Sequence, residues 1–353
     1  MKYSKQDIIE MLSLTDATQI EEQRVQAYNT MLKHCGDKVY LRGLVEFSNY
    51  CINDCNYCGI RKSNSHVSRY ILKKDEILKS AMWSIQQGYG SVVLQSGERQ
   101  DDEYIDFVCD VVREIKAKSI SDKLPNGAGI TLSIGEQSRE NYKKLFAAGA
   151  HRFLLRIETS NQELYSKIHP KEMKFENRVK CLRTLQSIGF QVGTGVMIGI
   201  PGQTIEDLAN DVLFFRNMDI DMIGMGPFIP HYETPMSEEV FPWDKERNYQ
   251  LALNMIATCR IVMPDINIAS TTALQAIVEG GREQGLMCGA NIIMPQQTPL
   301  DVRKEYQLYE GKPFLTETLE VLSMGINARI SGIGRVIAEN EFGDSKHYFK
   351  RTR

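Results

Sequence analysis

The sequence lacks the extremes of charge and hydropathy that mark nucleic-acid-binding and membrane proteins. Its 353 residues carry 42 Lys and Arg against 45 Asp and Glu, a formal net charge of −3, so nothing indicates a polyanionic partner. No apolar run reaches the roughly 18 residues that a membrane-spanning helix needs. The amino terminus is amphipathic and carries acidic residues early, which predicts a surface helix and no secretory signal. We therefore expect a cytoplasmic protein that binds neither nucleic acid nor membrane.

Cysteine is also scarce, with eight residues in the chain. A disulfide framework is not expected in a long chain of a reducing compartment. Five cysteines are scattered through helix-like segments and are predicted to be small buried apolar residues: Cys35, Cys109, Cys181, Cys259 and Cys288. The other three form one short run, Cys51-Ile-Asn-Asp-Cys55-Asn-Tyr-Cys58, with an aromatic residue just before the third thiol.

Three neighbouring thiols limit the metal chemistry of this loop. A structural zinc site closes with four ligands, and no Cys-x-x-Cys or histidine pair elsewhere in the sequence completes one. An ordinary ferredoxin 4Fe–4S cluster also takes four cysteines. A loop with three leaves one iron of a cubane without a protein ligand and open to another molecule. The spacing therefore predicts a cluster with an open iron, and a zinc-binding or merely buried loop is the alternative.

Short β-branched apolar runs alternate with longer amphipathic segments, which is typical of βα units around a parallel sheet. Eight strands are predicted, at Val39–Asn49, Ser91–Gly97, Gly129–Gly135, Arg152–Thr159, Gln191–Gly199, Met222–Ile229, Asn267–Thr271 and Asn291–Pro295. The pattern favours a complete (β/α)8 TIM-type barrel over a doubly wound sheet. The predicted organisation is an N-terminal helical segment at 1–36, the barrel at 37–300 and a short C-terminal extension at 301–353.

Alternation along the strands predicts which side chains face the barrel interior. Thr131 and Ser133 share one face of the third strand, and Arg156 and Glu158 share one face of the fourth. The opposite faces are aliphatic and must lie under the helices. A buried arginine and carboxylate are costly unless they are paired or bind a ligand. Because the cysteine loop follows the first strand, and barrel chemistry lies at the carboxyl ends of strands, we favour ligand contacts over a purely structural ion pair.

The cysteine run and a set of short motifs together resemble the biotin-synthase branch of radical S-adenosylmethionine (SAM) enzymes, and within it the HydE family of FeFe-hydrogenase maturases. The resemblance runs from about residue 38 to residue 308. Beside the cysteines, it is carried by eight segments: 46–49, 94–98, 131–136, 155–159, 176–178, 199–204, 226–231 and 290–295. It implies one 4Fe–4S cluster on Cys51, Cys55 and Cys58, whose open iron binds SAM. No cysteine follows Cys288, so a second cluster is not expected.

The resemblance also implies roles for residues at the strand ends. Glu158 and Arg178 match positions that contact SAM, and Gly97 would lie near its methionine part. Ser133 is counted both with these cofactor contacts and with the lining of a deeper cavity. The remaining residues implied to line the substrate cavity are Thr131, Arg156, Thr271, Thr272 and Met294.

The implied activity is reductive cleavage of SAM to methionine and a 5′-deoxyadenosyl radical inside a closed barrel. A HydE-type maturase would act on a small molecule, a cysteine-derived iron carbonyl/cyanide precursor, during assembly of the hydrogenase H-cluster. An electron donor such as ferredoxin or flavodoxin and other maturation proteins are the implied partners. The alternatives are a methylornithine-synthase-like mutase and a non-catalytic iron–sulfur scaffold. Sulfur insertion as in biotin synthase is disfavoured, because the inner strand ends lack further cysteines.

Overall fold

The computed structural model describes residues 3–352. Residues 1, 2 and 353, which belong to the predicted terminal segments, lie outside the described residues. The strands are β1 (Lys38–Ser48), β2 (Ser91–Ser96), β3 (Gly129–Ser133), β4 (Arg152–Leu154), β5 (Gln191–Thr194), β6 (Met197–Ile198), β7 (Met222–Pro227), β8 (Asn267–Ser270), β9 (Ile292–Ile293) and β10 (Val336–Ile337).

Helices follow the strands and also precede and follow the barrel. A 3-10 turn covers Pro235–Glu238. The α-helices are α1 (Lys5–Ser13), α2 (Ala17–Cys35), α3 (Lys74–Gln86), α4 (Asp102–Lys118), α5 (Arg139–Ala147), α6 (Gln162–Ile168), α7 (Phe175–Ile188), α8 (Ile205–Asn217), α9 (Lys245–Val262), α10 (Thr272–Ile277), α11 (Gly281–Met287), α12 (Leu300–Arg303), α13 (Leu319–Gly332) and α14 (Lys346–Arg351).

The sheet closes into a parallel barrel. Its strands follow the order β1-β2-β3-β4-β5-β7-β8-β9, and β9 pairs back onto β1 through Ile292 beside Tyr40 and Ile293 beside Leu41. This closure confirms the predicted (β/α)8 barrel and excludes the doubly wound sheet, which has two open edges. The short β6 pairs with β7 beyond β5, and β10 pairs with the start of β1.

Alternating burial explains why these segments form barrel strands. Along β3, Ile130 and Leu132 are fully buried in the layer between the sheet and the helices, while Thr131 and Ser133 face inward. Leu155 and Ile157 continue the outer layer beyond β4. Each such aliphatic side chain contributes about 1.5–3 kcal/mol when fully buried. The apolar side chains therefore lie outside the sheet, under the helices, and the polar side chains of the strands face the barrel interior.

The N-terminal helices cover the barrel on one side. Asp16 begins α2 as an N-cap and accepts from the amides of Thr18 and Gln19, each at 3.1 Å. Helices α1 and α2 pack on α9, which is buried on almost every side as a result. Within residues 3–352, no helix is both long and apolar enough to cross a bilayer.

The C-terminal extension touches both ends of the barrel. Residues 304–318, called the mouth loop below, lie over the carboxyl ends of the strands. Residues 341–346, called the plug, lie under the amino ends, where Arg42 and Asn267 donate to the Gly343 carbonyl at 2.9 and 2.8 Å. Between them lies α13, which ends at Gly332.

Candidate active site

The three clustered cysteines lie in the loop after β1, at the mouth end of the barrel. The loop is fixed by its own backbone, because the Cys58 amide donates to the Cys55 carbonyl at 3.3 Å. It is also fixed from outside: the Gly59 amide donates to the Leu308 carbonyl of the mouth loop at 3.0 Å. The Glu98 amide, just after β2, donates to Cys51 Sγ at 3.4 Å. These hydrogen bonds therefore fix the position of the cysteine loop relative to the strand ends.

The electrostatics of these thiols fit a bound cluster. Burial raises the pKa of Cys55 to about 12, and the neighbouring Cys51 adds to the effect. Burial also raises the pKa values of Cys51 and Cys58, with Cys55 contributing at Cys58. Without a bound cation these groups stay protonated thiols, so a group that binds them as thiolates must supply positive charge. Among residues 3–352, no three ligand side chains are close enough to bind one metal ion together. A 4Fe–4S cluster does not require such a group, because each cysteine binds a different iron.

Gly97 lets the end of β2 approach the cysteine loop. A Cβ atom at this position would lie 2.3 Å from the Tyr50 carbonyl oxygen and 2.8 Å from Cys51 Cβ. Its amide donates to the Ser48 carbonyl at 3.0 Å. A side chain here would push the loop away, so glycine is required at this contact. The predicted residue thus borders the cluster loop directly.

A cavity lies inside the mouth end of the barrel, next to the cysteine loop. The cavity and its opening hold about 1340 Å³ of space between protein atoms. Its walls come from the carboxyl ends of the strands and from the mouth loop. Most of the predicted cofactor and substrate residues line it: Ser133, Arg156, Glu158, Thr271, Thr272 and Met294. The position agrees with the rule that barrel active sites lie at this end.

Arg156 and Glu158 form an ion pair on the cavity wall, with Arg156 Nη2 2.9 Å from Glu158 Oε2. Arg156 Nη2 also donates to the Val196 carbonyl at 2.9 Å. The arginine side chain keeps 32% of its surface exposed, so it can still meet a ligand. Glu158 has a φ of 64°, an unusual conformation for a non-glycine residue. Such strain costs about 1–3 kcal/mol and is concentrated at ligand-binding positions.

Arg178 does not lie on the cavity wall, in contrast to the direct SAM contact that the resemblance implies. Its side chain is buried, and its Nε donates to Glu136 Oε1 at 2.6 Å. Nη1 donates to the Arg156 carbonyl, behind the wall. The pKa of Arg178 is raised overall. Burial alone would lower this pKa, but the electrostatic interactions with Tyr165, Glu136 and Glu98 have the larger effect. Arg178 thus stabilises the backbone that carries Arg156.

Thr131, which is predicted to line the substrate cavity, is not among the residues of the cavity wall. Thr131 faces inward, but it is fully buried and its Oγ1 accepts from Arg152 Nε at 3.0 Å. Arg152 in turn donates to the Phe342 carbonyl at 3.0 Å and pairs with Asp344 of the plug. Thr131 lies two residues nearer the amino end than Ser133, where the plug already fills the barrel. Alternation predicts the face of a strand residue but not its depth.

Sequence reasoning missed an ion pair between β1 and the mouth loop. Lys312 Nζ lies 2.6 and 2.8 Å from the two carboxylate oxygens of Glu46 and donates to the Tyr306 carbonyl at 2.7 Å. Gln296 Nε2 donates to Glu46 at 2.7 Å. Burial lowers the pKa of Lys312, and Glu46 opposes this. Glu46 belongs to the segment 46–49, and period-two alternation along β1 could have predicted that its side chain faces inward. Lys312 lies in a loop that has no such periodicity.

Comparison with known proteins identifies relatives of similar length. The Radical SAM superfamily model matches residues 45–215. The [FeFe] hydrogenase maturase subunit HydE of Thermotoga maritima is 45% identical over 88% of this chain and 85% of its own length. The 3-methylornithine synthase of Methanosarcina acetivorans is 28% identical over 84% of this chain and 81% of its own. The crystal structure of methylornithine synthase (PylB) is similar in fold, with a TM-score of 0.79 and 22% identity over 96% of both chains.

Proposed function

Because this chain belongs to the radical SAM superfamily and, within it, to the HydE family, we propose that its substrate is a cysteine-derived iron carbonyl/cyanide precursor of the hydrogenase H-cluster. The chain is a radical SAM enzyme that uses one 4Fe–4S cluster and SAM. The observation that carries the proposal is the position of three neighbouring cysteines, with Cys55 buried and Cys51 and Cys58 half-buried, beside a cavity at the barrel mouth. The wall of this cavity carries the Arg156–Glu158 ion pair. Arg156 keeps 32% of its side chain exposed on the cavity wall, so its guanidinium can also donate to a small polar molecule.

In this proposal Cys51, Cys55 and Cys58 hold the cluster. When bound, the cluster supplies the electron that cleaves SAM into methionine and a 5′-deoxyadenosyl radical. Glu158 accepts hydrogen bonds from the ribose or amino group of SAM, since its carboxylate is fixed on the wall by Arg156. Gly97 allows the methionine part to approach the strand end. Arg178 acts through the Arg156 carbonyl and not by contact with SAM.

The substrate side of the cavity is lined by Ser133, Thr271, Thr272 and Met294. Thr271 Oγ1 donates to the Met225 carbonyl at 3.1 Å, so its oxygen can only accept from a ligand. Arg156 and Lys312 are the cations of this wall, each paired with a carboxylate. We assign the hydroxyl groups the role of orienting the substrate. The pair of Lys312 and Glu46 holds the mouth loop over the cavity, and a covered site favours radical chemistry by limiting side reactions. A ferredoxin or flavodoxin is proposed as electron donor, and other hydrogenase maturation proteins as partners.

Restoring hydrogenase maturation in cells that lack their own maturase tests the proposed substrate. The wild-type chain should restore hydrogenase activity, and the Cys55→Ala variant should not. The control is Cys109→Ala, because Cys109 is a buried residue of α4 that does not line the cavity. If the wild-type protein carries a full cluster and cleaves SAM but gives no rescue, the maturase proposal fails and the mutase alternative takes its place.

A further inference from the structure

Tyr57 stands between two of the cluster cysteines and lines the cavity. Its ring contributes to the cavity wall, but its hydroxyl is directed at His169, whose Nε2 lies 3.2 Å from the Tyr57 oxygen. His169 is not among the residues that line the cavity. Its side chain is buried, with the residue 3% exposed. Tyr57 therefore lines the cavity, while its hydroxyl contacts a histidine that does not line it.

The orientation of His169 is fixed from two sides. Its ring stacks on Tyr165 with the ring centres 4.0 Å apart. Its Nδ1 lies 3.0 Å from the Tyr165 carbonyl oxygen. The same segment also holds the cysteine loop through its backbone, because the Asn56 amide donates to the Ile168 carbonyl at 2.9 Å. A backbone hydrogen bond thus joins the cysteine loop to the segment that carries His169.

These contacts determine which atom carries each proton. A carbonyl oxygen cannot donate, so Nδ1 of His169 must carry a hydrogen to bond Tyr165. Burial, together with the charge of Arg178, lowers the pKa of His169 to about 3, so the ring is neutral near pH 7. In a neutral imidazole the second nitrogen is then a bare acceptor. His169 Nε2 is therefore an acceptor for the Tyr57 O–H at 3.2 Å, and Cys55 is a second hydrogen-bond partner of the same hydroxyl.

We propose that His169 is a positioning residue that protects the radical by holding the Tyr57 O–H out of the cavity. A phenolic O–H bond is weaker than the C–H bond that a primary alkyl radical forms. A Tyr57 hydroxyl free to rotate into the cavity would give its hydrogen atom to the 5′-deoxyadenosyl radical. One O–H bond would break and one C–H bond would form, leaving 5′-deoxyadenosine and a neutral phenoxyl radical on Tyr57.

The inference rests on the radical chemistry of the family and not on the identity of the substrate. It is therefore tested without substrate, in D2O, where the phenolic hydrogen is replaced by deuterium. Wild-type protein, reduced with dithionite and given SAM, should form 5′-deoxyadenosine with little deuterium. The His169→Phe variant keeps the stacked ring and removes the acceptor. We expect its monodeuterated fraction to rise several-fold, with a tyrosyl signal in electron paramagnetic resonance spectra.

Two further variants identify the source of the label. Adding Tyr57→Phe to His169→Phe should return deuterium to the wild-type level. Adding Tyr309→Phe, at another tyrosine that lines the cavity, should leave the label of His169→Phe unchanged. His169→Gln retains an acceptor near the Nε2 position and should give a low label. A His169→Phe enzyme that cleaves SAM with no added deuterium would overturn the inference, as would label that persists without Tyr57.

A measurement on the wild-type apoprotein keeps the test independent of folding of the variants and of cluster loading. Nitrogen-15 spectra of histidine-labelled protein report which ring nitrogen carries hydrogen. His169, identified by its contacts with the Tyr57 ring, should be protonated at Nδ1 and bare at Nε2. A His169 protonated at Nε2 would contradict the inference, because the Tyr57 hydroxyl would then have no acceptor there.

Discussion

At the scale of single residues, Glu158 combines backbone strain with a paired carboxylate at the cavity wall. Its φ of 64° places the side chain beside Arg156, and the Met197 amide donates to its carbonyl at 3.0 Å. An observed strained residue on a ligand-binding wall supports a binding role. The strain also explains why alternation alone could place Glu158 on the inner face but could not predict its conformation.

Replacing Glu158 by Gln should weaken SAM binding more than it slows turnover. A hydrogen bond to a charged group is worth about 1.5–3 kcal/mol, so we expect KM for SAM to rise by about tenfold or more. Steady-state formation of 5′-deoxyadenosine measures this. Glu163→Gln, on the exposed side of α6, is the matched control and should behave as wild type. An unchanged KM in Glu158→Gln would remove Glu158 from the SAM site.

Asp211 on α8 is a buried carboxyl that should make stability depend on pH. Its Oδ1 accepts from the Ser160 amide and hydroxyl, each at 2.6 Å, while Oδ2 has no partner. Burial raises the pKa of Asp211 to about 7 from an ordinary 3.8. A raised pKa means that the folded state holds the proton longer. The stability contributed by this group is therefore full below about pH 4 and is lost as pH rises through 7.

The Asp211→Asn variant should not lose this stability, because Asn retains the acceptor for Ser160 and does not ionise. Between pH 4 and pH 8 wild type should lose up to about 4 kcal/mol relative to the variant, from three pKa units at about 1.4 kcal/mol each. Urea unfolding of the apoproteins across this range measures the difference. Parallel pH profiles for the two proteins would show that Asp211 ionises normally.

At the scale of structural elements, the mouth loop depends on the buried pair of Lys312 and Glu46. Replacing Lys312 by Met leaves the carboxylate buried without its cation, which typically costs about 3–5 kcal/mol. We expect hydrogen exchange within residues 305–314 to accelerate by at least about tenfold, because the loop opens locally. Lys304→Met removes only a largely exposed partner 3.9 Å from Glu305 and is the control. Equal exchange in both variants would show that Lys312 does not close the loop.

The plug depends on Asp344, which pairs with the fully buried Arg152 and lies 3.1 Å from His151 Nε2. The Asp344→Ala variant should lose about 3–5 kcal/mol of unfolding free energy, because Arg152 is left as an unpaired buried charge. Glu341→Ala removes only a half-exposed pair with Lys38 and should cost less than about 1 kcal/mol. Urea unfolding compares the two. Similar losses in both would mean that the plug is held by its backbone contacts alone.

The strands and most wall residues could be predicted because period-two alternation is local. The eight barrel strands and the inward faces of Ser133 and Glu158 follow from it. The depth of Thr131 could not be predicted, because the plug that occupies its level comes from residues about two hundred positions later in the chain. Lys312 was missed for the same reason, since its partner Glu46 lies on β1. Contacts between residues far apart in the chain cannot be predicted from one sequence when no periodic pattern accompanies them.

At the scale of the whole molecule, the C-terminal extension completes the barrel at both ends. The mouth loop contacts the cysteine loop through Gly59 and the cavity through Lys312. The plug fills the opposite end through Arg42 and Arg152. The cavity thus lies between the two, next to the three thiols. A cavity bounded by the plug below and partly covered by the mouth loop above suits a radical that must meet only its substrate.

Anaerobic single-turnover cleavage of SAM tests the central claim most directly. Protein reconstituted with iron and sulfide, reduced with dithionite and mixed with SAM should form 5′-deoxyadenosine and methionine in equal amounts. The Cys51→Ala, Cys55→Ala and Cys58→Ala variants should form neither. A wild-type protein that holds a reduced 4Fe–4S cluster and binds SAM, yet yields no 5′-deoxyadenosine, would contradict the account.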